Sequence, residues 1–479
     1  MTGQSLWTSD DAARATDGRC DTPWTCTGIA SDSRRVGQGD LFVALHGPNF
    51  DGHDFVAAAL QDGGAAAMVS NRPDGLAADA PLLVVDDVLA ALNRLGEAGR
   101  ARATAKVVAL TGSVGKTSTK ETLKHVLETQ GAVFASPASF NNHWGVPLSL
   151  AALPPEADYA IIEVGMNHPG EISPLSRLVR PDVALVTTVE PVHLEFFESV
   201  SEIADAKAEI FDGMGHGGIA VLNYDNPYQK RLSSAARAND VCRIVCFGVH
   251  PHATVRLIAS TPTDTGSQVA VAVDGRPIEF QLGAPGAHWV TISVATLATV
   301  HALGADTDQA AARLADVRPL PGRGERHEIA VEGGVFTLID ESYNANPTSV
   351  RAAIEVLALT PVKDGGRRIA VLGDMLELGD EGPALHAALV DTLARKAITM
   401  VYTVGPNMAH LRDALPAAMR AGHAAKSDDL VAPLAAAIGP GDVVMVKGSL
   451  GTRMAPIVAA LHACKAKPAP RAAGNGWES

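Results

Sequence analysis

Short apolar runs, too brief for helices, recur along the chain, and most give way to stretches whose apolar positions fall three and four residues apart. Between about residues 87 and 322 the runs "VVALTG", "YAIIEVG", "DVALVTTV", "GIAVLNYD" and "RIVCFGV" are separated by helical or loop lengths, as parallel crossover units require. The rhythm then changes: "ATVRLIAS" and "SQVAVAVDGRPIEFQL" alternate with period two around Asp274 and Gly275, which predicts an antiparallel hairpin before the helix "HWVTISVATLATVHALG". Pro319 and Pro321 in "RPLPGRGER" mark a boundary. Beyond it "FTLIDESYNANP", "RRIAVLGDM", "MVYTVG" and "DVVMVKGS" again read as strands among helices.

The pattern predicts an α/β protein of three domains. A small mixed N-terminal domain spans 1–86, with "GDLFVALHG" and "PLLVVDD" as strands. A central parallel-sheet domain carrying the inserted hairpin spans 87–322, and a C-terminal Rossmann-like domain spans 323–464. Residues 465–479 form a tail. Two α/β lobes joined by a proline-rich hinge imply a cleft that closes on substrates.

The first chemistry appears in "VVALTGSVGKTSTKETLKHVL", residues 107–127. A buried strand ends at Leu110, and Thr122, Leu123, Val126 and Leu127 fall at helical spacing, so Thr111–Thr117 is a tight loop at a helix start. Backbone N–H groups and the helix dipole favour an anion there. The pattern T-G-x-x-G-K-T, through Gly112, Ser113, Val114, Gly115, Lys116 and Thr117, is shorter than the full Walker motif, because Leu110 stands at the first glycine's place. It still supplies phosphate-binding amides, a cation and a hydroxyl able to ligate Mg2+. The loop predicts a nucleoside triphosphate site without naming the reaction. A P-loop switch or motor would fit too, although the [NT]-K-x-D guanine signature is absent.

Composition narrows the partners. The 479-residue chain carries a formal charge of −14 and no dense Lys/Arg run outside "KAKPAPR", which argues against nucleic acid and for small-molecule substrates. No stretch approaches about 18 consecutive apolar residues, and the first residues lack the basic start and apolar core of a signal peptide. Five cysteines without a paired spacing, Cys242 and Cys246 read as core thiols of one strand, fit a reducing cytoplasm. Nothing demands more than a monomer.

Strand ends supply further candidates, because ligands in α/β sheets sit beyond the carboxyl ends of strands. Glu163 ends "DYAIIEVG" and is placed to face Mg2+; His193 follows the next strand in "TTVEPVHLEFF". Asn141 and Asn142 in "SFNNHWGVPLSL" are equally turn-formers or donors to a polar substrate. Lys207, among acids in "SEIADAKAEIFDGM", reads from its neighbours as a solvated helix face. Asp340, Tyr343, Asn344 and Asn346 end one strand of the third domain and Lys447 and Ser449 another, a second wall of the same cleft.

In this order, "LTGSVGKTSTKE", "SFNNHWGVPLSL", "EVGMNHPGEI", "TTVEPVHLEFF", "AKAEIF", "DESYNANPTSVRAAI", "VLGDMLELG" and "VKGSLGTRM" resemble the Mur ligases over nearly the whole chain. The resemblance implies that ATP phosphorylates the free carboxylate of a UDP-sugar peptide and that an amine then attacks the acyl phosphate. "YNANP" and "NNHWGVP" are similar to the member whose substrates are UDP-N-acetylmuramoyl-tripeptide and D-alanyl-D-alanine; the "DNPR" of the diaminopimelate-adding sibling is absent. By the same resemblance Lys116 binds the β- and γ-phosphates with Ser118 nearby, Thr117 and Glu163 hold a first Mg2+, and His193 serves a second. Lys207 matches a lysine that is carbamylated in related ligases and supports a metal. Arg323 reaches nucleotide phosphates, and Asp340 holds the ATP ribose with Asn344 and Asn346 near it. Asp32, Ser33 and Arg34 match the uridine-diphosphate region, Asn141 and Asn142 the sugar-peptide region. Folylpolyglutamate synthase is a relative on the same scaffold, but the N-terminal UDP-type segment argues against it. One departure stands out: the family's G-x-H-x-x-x-N keeps Gly286 and His288 here but has Ile292 at the asparagine that touches adenine. An isoleucine cannot make that hydrogen bond.

Overall fold

The computed structural model describes residues 5–47, 49–137, 140–192, 194–263, 265–363 and 365–464. The expected tail and His193 lie outside them. Three main sheets follow one another along the chain. The first has five strands in the order Arg19–Cys20, Leu82–Val84, Ala66–Val69, Asp40–Val43, Gly28–Ala30, parallel except for the first pair.

The central sheet has nine: Val133–Ala135, Tyr159–Glu163, Lys106–Thr111, Val183–Val186, Ile219–Asn223, Arg243–Gly248, Val255–Pro262, Ser267–Val273 and Arg276–Leu282. Its strands are apolar on both faces because both faces are covered. Val108 and Leu110 point to one core, which includes the helix Ala287–Ala302; Val107 and Ala109 point to the other, with Ile203, Ala204 and Ile210. The helix Ala287–Ala302 is apolar nearly all round and correspondingly interior, with twelve of its sixteen residues buried. The expected hairpin does not stand apart from this sheet. Val255–Pro262 runs parallel to Arg243–Gly248, so the antiparallel strands continue the sheet's edge. Asp274 and Gly275 both have positive φ, 46° and 83°, the two-residue turn that matches strand twist.

The third sheet has six strands, Glu325–Val331, Gly334–Glu341, Val443–Lys447, Arg368–Gly373, Met400–Val404 and Arg420–Ala424, parallel except for the first pair. Cys246 is a core thiol as expected, but Cys242 is exposed: it lies before its strand begins and donates to the Gly218 carbonyl.

One helix joins the first two sheets. Val88–Arg102, capped by the Asp87 carboxylate on the Ala90 amide at 2.7 Å, buries Val88, Ala91, Leu92 and Leu95 in the N-terminal core. Along the flank of that buried face two glycines meet the helix Gly145–Ala151, whose Leu148 and Ala151 belong to the same core. A methyl on Gly96 would lie 2.7 Å from the Pro147 carbonyl oxygen, and one on Gly99 would run into that of Leu150. Glycine inside a helix costs stability, so its presence twice on one face reflects this close backbone approach. Gly99→Ala should therefore destabilise the protein by about 1–3 kcal/mol, the usual cost of overpacking. Denaturant unfolding measures it; an unchanged midpoint would mean that the joint is loosely packed.

Candidate active site

The phosphate cradle forms where the strand Lys106–Thr111 turns into the helix Lys116–Leu127. Gly112 has φ 150°, and any side chain there would collide with the Thr187 hydroxyl; Gly115, φ 84°, occupies the helix N-cap in the left-handed region. No side chain caps that end, so its first-turn amides remain available to a ligand. Thr122, Leu123, Val126 and Leu127 are all buried, as their spacing predicts. Lys116 folds back over the loop and donates to the Gly112 carbonyl at 2.6 Å. Burial lowers its pKa and the Arg323 charge pushes the same way, while Glu163 opposes both.

Glu163 comes beside the cradle because its strand is the parallel neighbour of the loop's own, with Leu110 paired to Glu163. Only 3% exposed, the carboxylate accepts a hydrogen bond on each oxygen, from the Thr117 hydroxyl at 2.9 Å and the Asn141 amide at 2.9 Å. The two asparagines thus divide: Asn141 reaches Glu163, whereas Asn142 is a turn-former whose side-chain oxygen accepts from the Gly145 amide at 3.0 Å. The fully buried Lys120 holds the loop that carries them, donating to the Ser136 carbonyl at 2.5 Å, while the Ser136 hydroxyl accepts from the Glu163 amide.

Lys207 is not on a solvated face. It is 2% exposed on the helix Val200–Ala208, and among the described residues it makes no hydrogen bond or ion pair. Burial, with the Lys116 charge adding to it, drives its amine well below the ordinary lysine range. The acidic neighbours in sequence point elsewhere: the Asp205 carboxylate pairs with Arg231, and the Glu209 carboxylate accepts from the Gly170, Ile172 and Ser173 amides.

The C-terminal sheet supplies the facing wall of a cavity of about 520 Å³. Lining it opposite Ser113–Thr119 are Gly322, Arg323, Glu341, Tyr343, Asn344, Asn346 and Lys447. The Arg323 guanidinium stacks on the Tyr343 ring, 3.9 Å from its centroid. Lys447, 3% exposed, donates to Glu341 and to the Asn344 carbonyl, each at 3.0 Å. Asp340 does not line the cavity, and its carboxylate accepts from the Ser342 amide. In a strand, consecutive side chains point to opposite faces, so the pleat gives this place to Glu341. Asn346 reaches the lining, but its side-chain oxygen caps the helix Pro347–Leu359, and Ser449 bridges the Ala345 carbonyl and Leu376 amide outside it. Asp32, Ser33 and Arg34 form a capped turn with an Arg34–Asp32 ion pair at 2.8 Å and do not line this cavity.

Sequence reasoning passed over Glu190. Its amide donates to the Ser113 hydroxyl at 2.9 Å, and its carboxylate accepts from Thr188 at 3.0 Å and from Thr348 of the C-terminal wall at 3.3 Å. It stands just past the strand Val183–Val186, the position that made His193 a candidate.

A glycine-bent phosphate cradle at the carboxyl edge of one sheet, faced across a cavity by cations of a second, defines the class of nucleotide-using enzymes. Three families match along the chain: Mur ligase family, catalytic domain at residues 25–100; Mur ligase middle domain at 110–300; and Mur ligase, glutamate ligase domain at 322–450. The chain is 37% identical to the UDP-N-acetylmuramoyl-tripeptide–D-alanyl-D-alanine ligase of Escherichia coli, over 91% of this chain and 94% of that protein. It is 32% identical to the Rickettsia prowazekii ligase of the same name, over 95% and 99%. The fold resembles MurF of Acinetobacter baumannii (TM-score 0.82, 29% identity, 97% and 100% covered) and the Thermotoga maritima MurF ligase in complex with ADP (0.75, 26%, 91% and 97%). Folylpolyglutamate synthase of Mycobacterium tuberculosis, at 17% identity and TM-score 0.60, shares the fold alone. This chain belongs to the Mur ligase family.

The Lys207 environment has a measurable consequence. Its folded pKa lies below the ordinary 10.5, so between those two values the unfolded chain binds more protons and stability rises with pH. In CO2-free buffer Lys207→Met, which deletes the buried amine, should be at least as stable as the wild type at about pH 7, and the gap should narrow by about pH 9.5. Denaturant titrations at both values measure it; a destabilised variant would reveal a favourable partner for the amine.

Proposed function

We propose that the protein is an ATP-dependent amide ligase that joins D-alanyl-D-alanine to UDP-N-acetylmuramoyl-tripeptide, giving the pentapeptide precursor of peptidoglycan with ADP and phosphate. The observation that carries this reading is near-full-length similarity to ligases of that name, together with a cavity in which the cradle, Glu163, Arg323 and Lys447 converge. The proposed setting is the cytoplasm and the proposed state a monomer; among the described residues no helix is long and apolar enough to cross a membrane.

A carboxylate resists amines until one of its oxygens becomes a leaving group. In the proposed sequence a tripeptide carboxylate oxygen attacks the γ-phosphorus of ATP, the bond to the bridging oxygen breaks, and ADP departs. The dipeptide's amino nitrogen then forms the C–N bond, the C–O bond to phosphate breaks, and the nitrogen loses a proton. Several anionic oxygens must be held together throughout, which costs electrostatic energy that cations and amides offset. Lys116 and the cradle amides are assigned to the β- and γ-phosphates, and Arg323, fixed by its stack on Tyr343, to the phosphates from the opposite wall. In this reading the dipeptide enters from the C-terminal domain, and Asp32, Ser33 and Arg34 hold the uridine diphosphate.

Mg2+ fits the donor set at the cradle. Thr117 and Glu163 present hard oxygens already in contact, and no cluster of three or more His, Cys, Asp or Glu able to enclose a metal occurs among the described residues. That suits an ion that takes few protein ligands and completes its shell with phosphates and water. Bound there, it would neutralise phosphate charge. Burial, which lowers the pKa of the Lys207 amine, favours the neutral form that adds to CO2 with loss of a proton. The resulting carbamate would put an anion able to support a second metal with His193 where the amine stood. Protein equilibrated with 13C-labelled CO2 should show one carbamate carbon resonance that is missing in Lys207→Met; its absence from the wild type would remove the carbamate from this account.

Phosphate release from ATP tests the reaction itself. With UDP-N-acetylmuramoyl-tripeptide present it should require D-alanyl-D-alanine and fall about 100-fold or more in Lys116→Ala. Release indifferent to the dipeptide would mean that the acceptor is wrong.

A further inference from the structure

The cavity continues sideways from the phosphate cradle along the carboxyl edge of the central sheet. Past Thr187 it reaches Asn223 at the end of Ile219–Asn223, then Phe247 near the end of Arg243–Gly248. These strands are the second and third from the cradle strand, so with strands about 4.8 Å apart they lie roughly 10 and 14 Å from it. That is the reach of a nucleoside from its terminal phosphates. The other side of this arm is one face of the helix Ala287–Ala302, where Thr291, Ile292 and Ala295 line the cavity. Phe247 and Ala295 are almost wholly buried, so Ile292, 8% exposed, is the apolar side chain that a base can meet here, and the Thr291 hydroxyl is turned to the Ala287 carbonyl at 3.3 Å.

Asn223 has the chemistry to read that base. Its side-chain oxygen accepts from the Asp225 amide at 2.9 Å, which fixes which way the carboxamide faces. Among the described residues its Nδ2 has no partner, and the residue lines the cavity. The group therefore presents N–H donors only, the complement of a ring nitrogen acceptor on a purine.

We propose that Asn223 is the base-reading residue of this protein, donating from Nδ2 to a ring nitrogen of the purine while Ile292 lies against the ring. The assignment rests on the reading of the cavity as a nucleotide site. It also accounts for Ile292: the helix contributes an apolar surface, and the polar contact comes from the sheet edge.

The test compares binding of ADP and of inorganic tripolyphosphate, by calorimetry, to the wild type, Asn223→Ala and Asn223→Asp. Aspartate keeps the oxygen that accepts from Asp225 but replaces the NH2 with a second acceptor. ADP affinity should fall about tenfold in Asn223→Ala and further in Asn223→Asp, with tripolyphosphate affinity nearly unchanged in both. If Asn223 only shapes the turn, Asn223→Asp will bind ADP as the wild type does, and the proposal is overturned; loss of both ligands in parallel overturns it too. A wild type that binds tripolyphosphate but gains nothing from the nucleoside would overturn the base site alone. One that binds neither ligand would overturn the nucleotide reading beneath it.

Discussion

The turn between Thr111 and Lys116 is the constraint on which the rest of the site depends. Two glycines with positive φ bring a buried strand into a helix within four residues, and Thr187 leaves no room for a side chain at the first of them. Parallel pairing then sets the neighbours in register: Glu163 beside Leu110 on one flank, and Val186, one residue before Thr187, beside Thr111 on the other. The helix Ala287–Ala302 packs on the cradle helix, with Ile292 beside Gly115. Each functional side chain of the central domain is thereby placed by backbone, with little dependence on its own flexibility.

Charge is the second theme. The whole chain is acidic, yet Lys116, Arg323 and Lys447 line one cavity and Lys207 is buried close enough to feel Lys116. Lys116 and Lys207 suffer lowered pKa values because burial and like charge act together. Such a site is strained without an anion and relieved by one, which favours a bound polyanion over the empty state. Glu341 on Lys447 and Glu163 on Thr117 and Asn141 keep the intrinsic acids occupied in defined places.

Much of this was legible in the sequence, because period and turn chemistry are local. The cradle, the order of strands and the Asp274–Gly275 turn follow from patterns only a few residues long. What escaped depends on partners distant in the chain. The sequence around Lys207 is acidic, but those acids are held by Arg231 and by the amides of 170–173, leaving the lysine to face inward. Asn141 and Asn142 differ only by which one the loop turns toward Glu163, and Asp340 and Glu341 only by the phase of a pleat. The helix Val88–Arg102 packs in the N-terminal core and, through Gly96 and Gly99, against the helix Gly145–Ala151, a contact that hydrophobic spacing along one segment does not express.

The central claim is that one oxygen of the tripeptide carboxylate is handed to phosphate before the amide forms. The most direct measurement uses UDP-N-acetylmuramoyl-tripeptide labelled with 18O at the reacting carboxylate and follows the label by mass spectrometry through a turnover with ATP and D-alanyl-D-alanine. The account predicts one labelled oxygen in each phosphate released, with its partner retained in the new amide carbonyl. Product formed with unlabelled phosphate would contradict an acyl phosphate, and with it the roles given to Lys116 and Arg323.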